Sequence, residues 1–172
     1  MSWKLVDDLL CDSGYINLYC DNTPGNWLVR DKNGRWITVY AVACNYADPD
    51  ESYCRSLRLA WSNDNGASWF YQWIPFTQDY HWYSAFSLKL DSNGDIYVLA
   101  CEYTLGSYDV VVLRKGVIAG GVCTWEWVNT VAADITSTVE LCLEIDKNDY
   151  INTIWHNFDG YETGDVNYLY HR

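Results

Sequence analysis

Aromatic rings set among acids and amides are the residues best equipped for chemistry in this chain, and the chemistry they suit is recognition. One segment holds Tyr46, Asp48, Asp50, Glu51 and Tyr53, and another holds Asp79, Tyr80, His81, Trp82 and Tyr83. Further on come Glu102, Tyr103 and Tyr108, then His156, Asn157, Phe158, Asp159, Tyr161 and Glu162. Sugars need this combination, because their C–H faces stack on rings while their hydroxyls require paired donors and acceptors. The ligand-binding candidates are the rings and histidines of these segments together with Glu102 and Asp159. The competing reading is that the rings pack between structural units and the acids are solvated surface.

Other chemistries find less support. His81, His156 and His171 have no metal-ligand spacing, and the seven cysteines include no C-x-x-C pair, so no metal site and no cofactor are expected. Asp91-Ser92-Asn93-Gly94-Asp95 has the opening of a calcium loop, but the related segments elsewhere lose the last acid, and an Asx-turn explains all of them. No phosphate-binding loop, dinucleotide fingerprint, H-E-x-x-H or G-x-S-x-G occurs. A net charge of −12 excludes nucleic acid and anionic membrane as natural partners.

The elements that must carry these residues read as short strands. Asp31-Lys32-Asn33-Gly34-Arg35, Asp91-Ser92-Asn93-Gly94-Asp95 and Asp146-Lys147-Asn148-Asp149-Tyr150 are three versions of one tight turn between apolar runs. They open repeats of four strands, a to d. Repeat one spans Asn26–Arg30, Arg35–Cys44, Ser56–Trp61 and Ser68–Pro75; repeat two spans Phe86–Leu90, Asp95–Tyr103, Asp109–Arg114 and Thr124–Val131. Repeat three spans Glu140–Ile145, Tyr150–Asn157 and Asp165–His171, and its fourth strand is expected from Ser2–Leu9. Almost no helix is expected.

Between strands c and d of the first repeat lies Ser62-Asn63-Asp64-Asn65-Gly66-Ala67-Ser68-Trp69, which fits S-x-D-x-G-x-x-W at every fixed position. Ser62, Asp64, Gly66 and Trp69 are its structural residues: the acid accepts amide hydrogens, the glycine supplies a positive φ, and the ring folds back over the turn. This segment resembles the Asp-box (BNR) repeat of sialidase-like β-propellers. The resemblance implies an all-β propeller of four-stranded antiparallel blades. Residues 1–172 then form half of one, with blades at about 26–75, 86–131 and 140–172, the last completed by strand 2–9. Propellers have about four to eight blades, so three require a second copy, giving a six-bladed homodimer by end-strand exchange. The alternative is a monomeric β-trefoil or β-prism.

In such blades the a–b and c–d turns share one rim, and the longer segments bearing the rings share the other. Sialidases of this family hold a substrate carboxylate with three arginines, and no arginine here falls in a motif matching that triad. A two-fold ring also duplicates every axial group, whereas a glycoside pocket needs unlike groups on opposite sides. The expected function is therefore a non-enzymatic, lectin-like glycan-binding module. Its alternatives are a structural or assembly protein of a virus particle, whose rim docks another protein, and a sialidase-like glycoside hydrolase.

The N-terminal stretch reads as neither a signal peptide nor a membrane span, so cytosolic synthesis is expected, with a place in a virion open. Cys11 with Cys20, and Cys44 with Cys54, bracket loops that disulfides would staple; buried reduced thiols are the other possibility.

Overall fold

The computed structural model describes residues 28–44, 54–75, 82–103, 109–135, 138–157 and 166–171. Among them the chain is entirely β, in three successive antiparallel meanders. The first sheet holds β1 (Leu28–Arg30), β2 (Trp36–Cys44), β3 (Cys54–Ser62) and β4 (Phe70–Trp73). The second holds β5 (Trp82–Leu90), β6 (Ile96–Tyr103), β7 (Asp109–Ala119) and β8 (Val122–Ile135). The third holds β9 (Thr138–Ile145), β10 (Ile151–Asn157) and β11 (Val166–His171). Strand order in each sheet follows the sequence, as short hairpin connections dictate. The strand expected at 2–9 lies outside the described residues.

Each meander opens on the same turn, made by an aspartate that satisfies its own backbone. Oδ1 of Asp31 accepts the amides of Asn33 and Arg35 at 2.9 and 2.8 Å. Asp91 does the same for Asn93 and Asp95, and Asp146 for Asn148 and Tyr150. The fourth residue of each turn has a positive φ: 82° at Gly34, 90° at Gly94 and 63° at Asp149. Aspartate is one of the few residues with a side chain that visits this region, which lets the third turn dispense with glycine.

The sheets stack face to face. Side chains alternate along a strand, so β2 and β3 send Ile37, Val39, Leu57, Leu59 and Trp61 toward the second sheet, where they meet Phe86, Leu88, Ile96, Val98 and Val112. The second sheet's other face sends Ala85, Leu99, Cys101, Val111 and Leu113 against Leu141, Leu143, Ile151 and Trp155 of the third. The middle sheet is covered on both sides, and Ile96 through Glu102 of β6 are all buried. Burying one large aliphatic side chain contributes about 1.5–3 kcal/mol, so these two layers dominate stability. Strand β9, at one edge of the third sheet, is also tied to the second through Ser87, whose hydroxyl accepts the Leu143 amide at 3.2 Å.

The second sheet departs from the boundaries expected for its outer hairpin. Strand c was expected to end at Arg114 and d to begin at Thr124; instead β7 runs to Ala119 and β8 starts at Val122. Gly120 and Gly121, with φ of 60° and 84°, supply the left-handed pair of a two-residue hairpin turn and let both strands extend. A bulge at Lys115/Gly116 accommodates Trp125, and a Cβ on Gly116 would sit 2.8 Å from that ring and 2.9 Å from Cys123 Sγ.

Cys101 and Cys123 are buried cysteines outside any disulfide, and Cys142 is a half-buried one. The β2–β3 register sets Cys44 directly opposite Cys54, while Cys11 and Cys20 lie outside the described residues.

Candidate functional site

Antiparallel meanders force their connections to alternate between two ends, and here the two ends differ in kind. At one end lie the turns 31–35, 91–95 and 146–150 together with the β3–β4 and β7–β8 hairpins, all short and bonded to themselves. At the other lie the connections joining β2 to β3, β6 to β7 and β10 to β11.

The β3–β4 hairpin is the most heavily bonded of the turns. Ser62 Oγ donates to Asp64 Oδ1 at 2.8 Å and accepts the Gly66 amide at 2.7 Å. Asp64 also accepts the Ser68 amide at 2.8 Å and its hydroxyl at 2.6 Å. These bonds from Ser68, followed by that from Ser62, hold the Asp64 carboxyl at a pKa of about 2, against an ordinary 3.8. Asn65 and Gly66 have φ of 57° and 84°, and the Trp69 ring lies over Gly66. Arg30 and Arg35 reach across from the neighbouring turn to the side-chain oxygens of Asn65 and Asn63, so both turns of the first sheet form one unit.

The same end is laced from sheet to sheet. Lys32 Nζ donates to the Ser92 carbonyl at 3.2 Å, and Ser92 in turn donates to Asp149. These bonds from Ser92 lower the Asp149 pKa. Lys89 and Glu144 add an ion pair of 2.6 Å between the second and third sheets. The Asp91 carboxylate that opens the calcium-like segment has its Oδ1 engaged by two backbone amides.

In the sequence none of the ring-bearing candidates falls in these turns. Tyr46, Tyr53, Tyr80, His81, Tyr108, Phe158, Asp159 and Tyr161 lie outside the described residues. Trp82, Tyr83, Tyr103 and His156 lie on strands: Trp82 pairs with Tyr103, Tyr83 with Glu102, and His156 with Glu140 and Val166. The register thus brings four of the candidates into two adjacent rungs at the end of the second sheet away from its turns. Glu102 itself is only 3% exposed, lying in the layer between the sheets' strands rather than on an open rim. Among the described residues no group of three His, Cys, Asp or Glu side chains is placed to hold a metal ion. No helix among them is long and apolar enough to cross a membrane.

A second aromatic cluster was missed in the sequence. On the first sheet's outer face the Arg58 guanidinium, 5% exposed, sits 3.9 Å from the Trp73 ring centre and 5.1 Å from that of Tyr71. Tyr71 and Trp73 are themselves well exposed. The signal was there: Tyr71 and Trp73 alternate along β4, and the hairpin register sets Trp73 opposite Arg58 and Tyr71 opposite Ala60.

No family model and no curated protein matches this sequence. Among solved structures, the chain is similar to a protein of unknown function from Dyadobacter fermentans DSM 18053, with 17% identity and a TM-score of 0.56. The match covers 83% of this chain and 36% of that one, so the chain spans about a third of the neighbour's length. At that identity the likeness is one of fold.

Proposed function

We propose that this chain is a non-enzymatic binding module for glycans, built as half of a six-bladed β-propeller that two copies complete. The observation that carries the reading is the contrast between the two ends of the sheets. One end is sealed by turns that bond to themselves and to each other; at the other, Trp82 pairs with Tyr103 and Tyr83 with Glu102 on adjacent rungs of the second sheet. A rigid scaffold with one end closed presents ligands with the other. Two copies would repeat each weak site, and avidity would follow from the repetition.

Two further facts support it. Four arginines are engaged within the fold: Arg30 and Arg35 on turn oxygens, Arg58 between rings, and Arg114 beside Trp125. They are poorly suited to clamp a substrate carboxylate, which favours binding over sialidase-type hydrolysis. The Dyadobacter protein also carries this arrangement as 36% of a longer chain, a proportion in keeping with three sheets being a part of a larger one.

The test is a glycan array run with the wild-type chain and with Trp82→Ala and Tyr80→Ala. Binding that weakens at least tenfold in either variant, with the far-ultraviolet circular dichroism unchanged, supports the reading. Absence of binding by the wild-type chain to any glycan rejects it in favour of a rim that docks protein, as an assembly component of a virus particle would. Turnover of aryl glycosides abolished by one carboxylate substitution would reject it in favour of a hydrolase.

A further inference from the structure

The shared aspartate turn gives every sheet the same internal ruler, and two positions on it expose a mismatch. Three residues before the aspartate stand Leu28, Leu88 and Leu143. Leu88 and Leu143 are 0% exposed, each facing the preceding sheet, yet Leu28 is 53% exposed. Eight residues after the aspartate stand Val39, Leu99 and Ile154. Val39 and Leu99 are 1% and 0% exposed, each facing the following sheet, yet Ile154 is 40% exposed.

The pairing is the same in both interior layers. Val39 and Leu88 share the core between the first and second sheets, and Leu99 and Leu143 share the core between the second and third. The stack therefore ends in the two unlike halves of an interface it has already made twice. The first sheet offers the half that Leu88 and Leu143 provide elsewhere, and the third offers the half that Val39 and Leu99 provide.

We propose that the outer face of the third sheet packs on the outer face of the first sheet of a second copy, with Ile154 against Leu28, and that two such seams close the ring. This rests on the six-bladed reading above and specifies its contacts. The occupant is a second copy because each face is complementary to the other and neither is complementary to itself. The rim supplies a further contact. Lys147 stands at the turn position of Lys32, so its ammonium would reach the Lys32 carbonyl of the second copy as Lys32 reaches that of Ser92. Such a head-to-tail contact closes only when the rotations add to a full turn, which the six-bladed reading assigns to two copies of three sheets.

The experiment measures mass by light scattering for the wild-type chain, Leu28→Lys, Ile154→Glu and an equimolar mixture of the two variants. The expected result is a wild-type dimer, two folded variants of at least tenfold weaker association, and recovery of dimer in the mixture. Recovery follows because the mixed dimer has one unaltered seam and one in which a new cation faces a new anion. A wild-type monomer at all concentrations would overturn both this proposal and the six-bladed reading. A wild-type dimer that neither substitution weakens, or variants that do not recover on mixing, would overturn the seam alone. Because both side chains are exposed in the single chain, circular dichroism should remain unchanged. If either variant misfolds, Lys147→Glu with its rim charge reversed gives the same comparison, and wild-type association in that variant counts against the seam.

Discussion

Ser92 donates to the Asp149 carboxylate twice, through its amide at 2.8 Å and its hydroxyl at 2.5 Å, joining turns 57 residues apart. Asp149 also occupies the left-handed region with φ of 63°, so one residue both shapes its own turn and clamps the next sheet. Asparagine tolerates that backbone and can still accept a hydrogen bond; alanine tolerates it poorly and accepts none. Asp149→Ala should therefore lower the thermal midpoint more than Asp149→Asn does. Calorimetry on the pair checks this, and equal midpoints would assign Asp149 no role in the clamp.

Ser62 is the buried pivot of the β3–β4 hairpin. Ser62→Ala removes the acceptor of the Gly66 amide and a donor to Asp64, at a cost of about 1–2 kcal/mol for an unmade bond at a buried site. For a chain of this size the thermal midpoint should fall by about 2–8 °C. Ser62→Thr keeps the hydroxyl and should fall less.

Acid should loosen the same hairpin. The folded-state pKa of Asp64 is depressed to about 2 from 3.8, so its contribution is fully present above about pH 4 and is lost as pH falls through 2. Denaturant midpoints measured from pH 5 to pH 2 should decline, and Asp64→Asn should flatten that decline. An unchanged pH profile in the variant would show that Asp64 does not couple protonation to folding.

Gly116 faces the Trp125 ring and Cys123 Sγ at distances that leave no room for a methyl group. Gly116→Ala should destabilise by about 1–3 kcal/mol through overpacking, even though its backbone needs no positive φ. The reverse comparison is Gly121→Ala, where nothing lies within 4 Å but φ is 84°. That variant tests backbone strain alone. Chemical denaturation of both separates the two causes.

Burial pushes the Cys123 thiol up to about 12. Alkylating reagents at pH 8 should leave it unmodified in the folded chain and modify it on unfolding, as peptide mass mapping would read. Rapid native labelling of Cys123 would contradict its place between the first and second sheets.

Much of the architecture was readable because its punctuation is chemical. Each D-x-N turn announces itself through an aspartate that can reach two downstream amides, and the strands flanking it fall within a few residues of their expected limits. The β7–β8 extension was overlooked for the opposite reason: Gly120-Gly121 is a hairpin signal, but Lys115 and Gly116 interrupt the apolar run that would have led the eye to it. Lys115 is satisfied by Asp95 and Glu126, a three-way contact that no spacing within one strand reveals. Glu102 illustrates the limit for the site. Its neighbours Tyr103 and Tyr108 suggested a loop acid, whereas β6 keeps it buried in a sheet covered on both sides. The Arg58 cluster needed the pairing of two strands, which only the register supplies.

The rim linkage makes the three modules non-interchangeable. Lysine, serine and lysine occupy one turn position, and glycine, glycine and aspartate another, so each junction is written in a different pair of residues. Exchanging the second module for the third would separate Ser92 from its clamp and set Asp149 against Lys32, forming an attraction where the native order has none. In the closed ring proposed above, rotating the starting point of the chain would preserve every adjacency. The polypeptide thus encodes a direction of travel around its own stack, and reordering its modules should cost more than moving its ends.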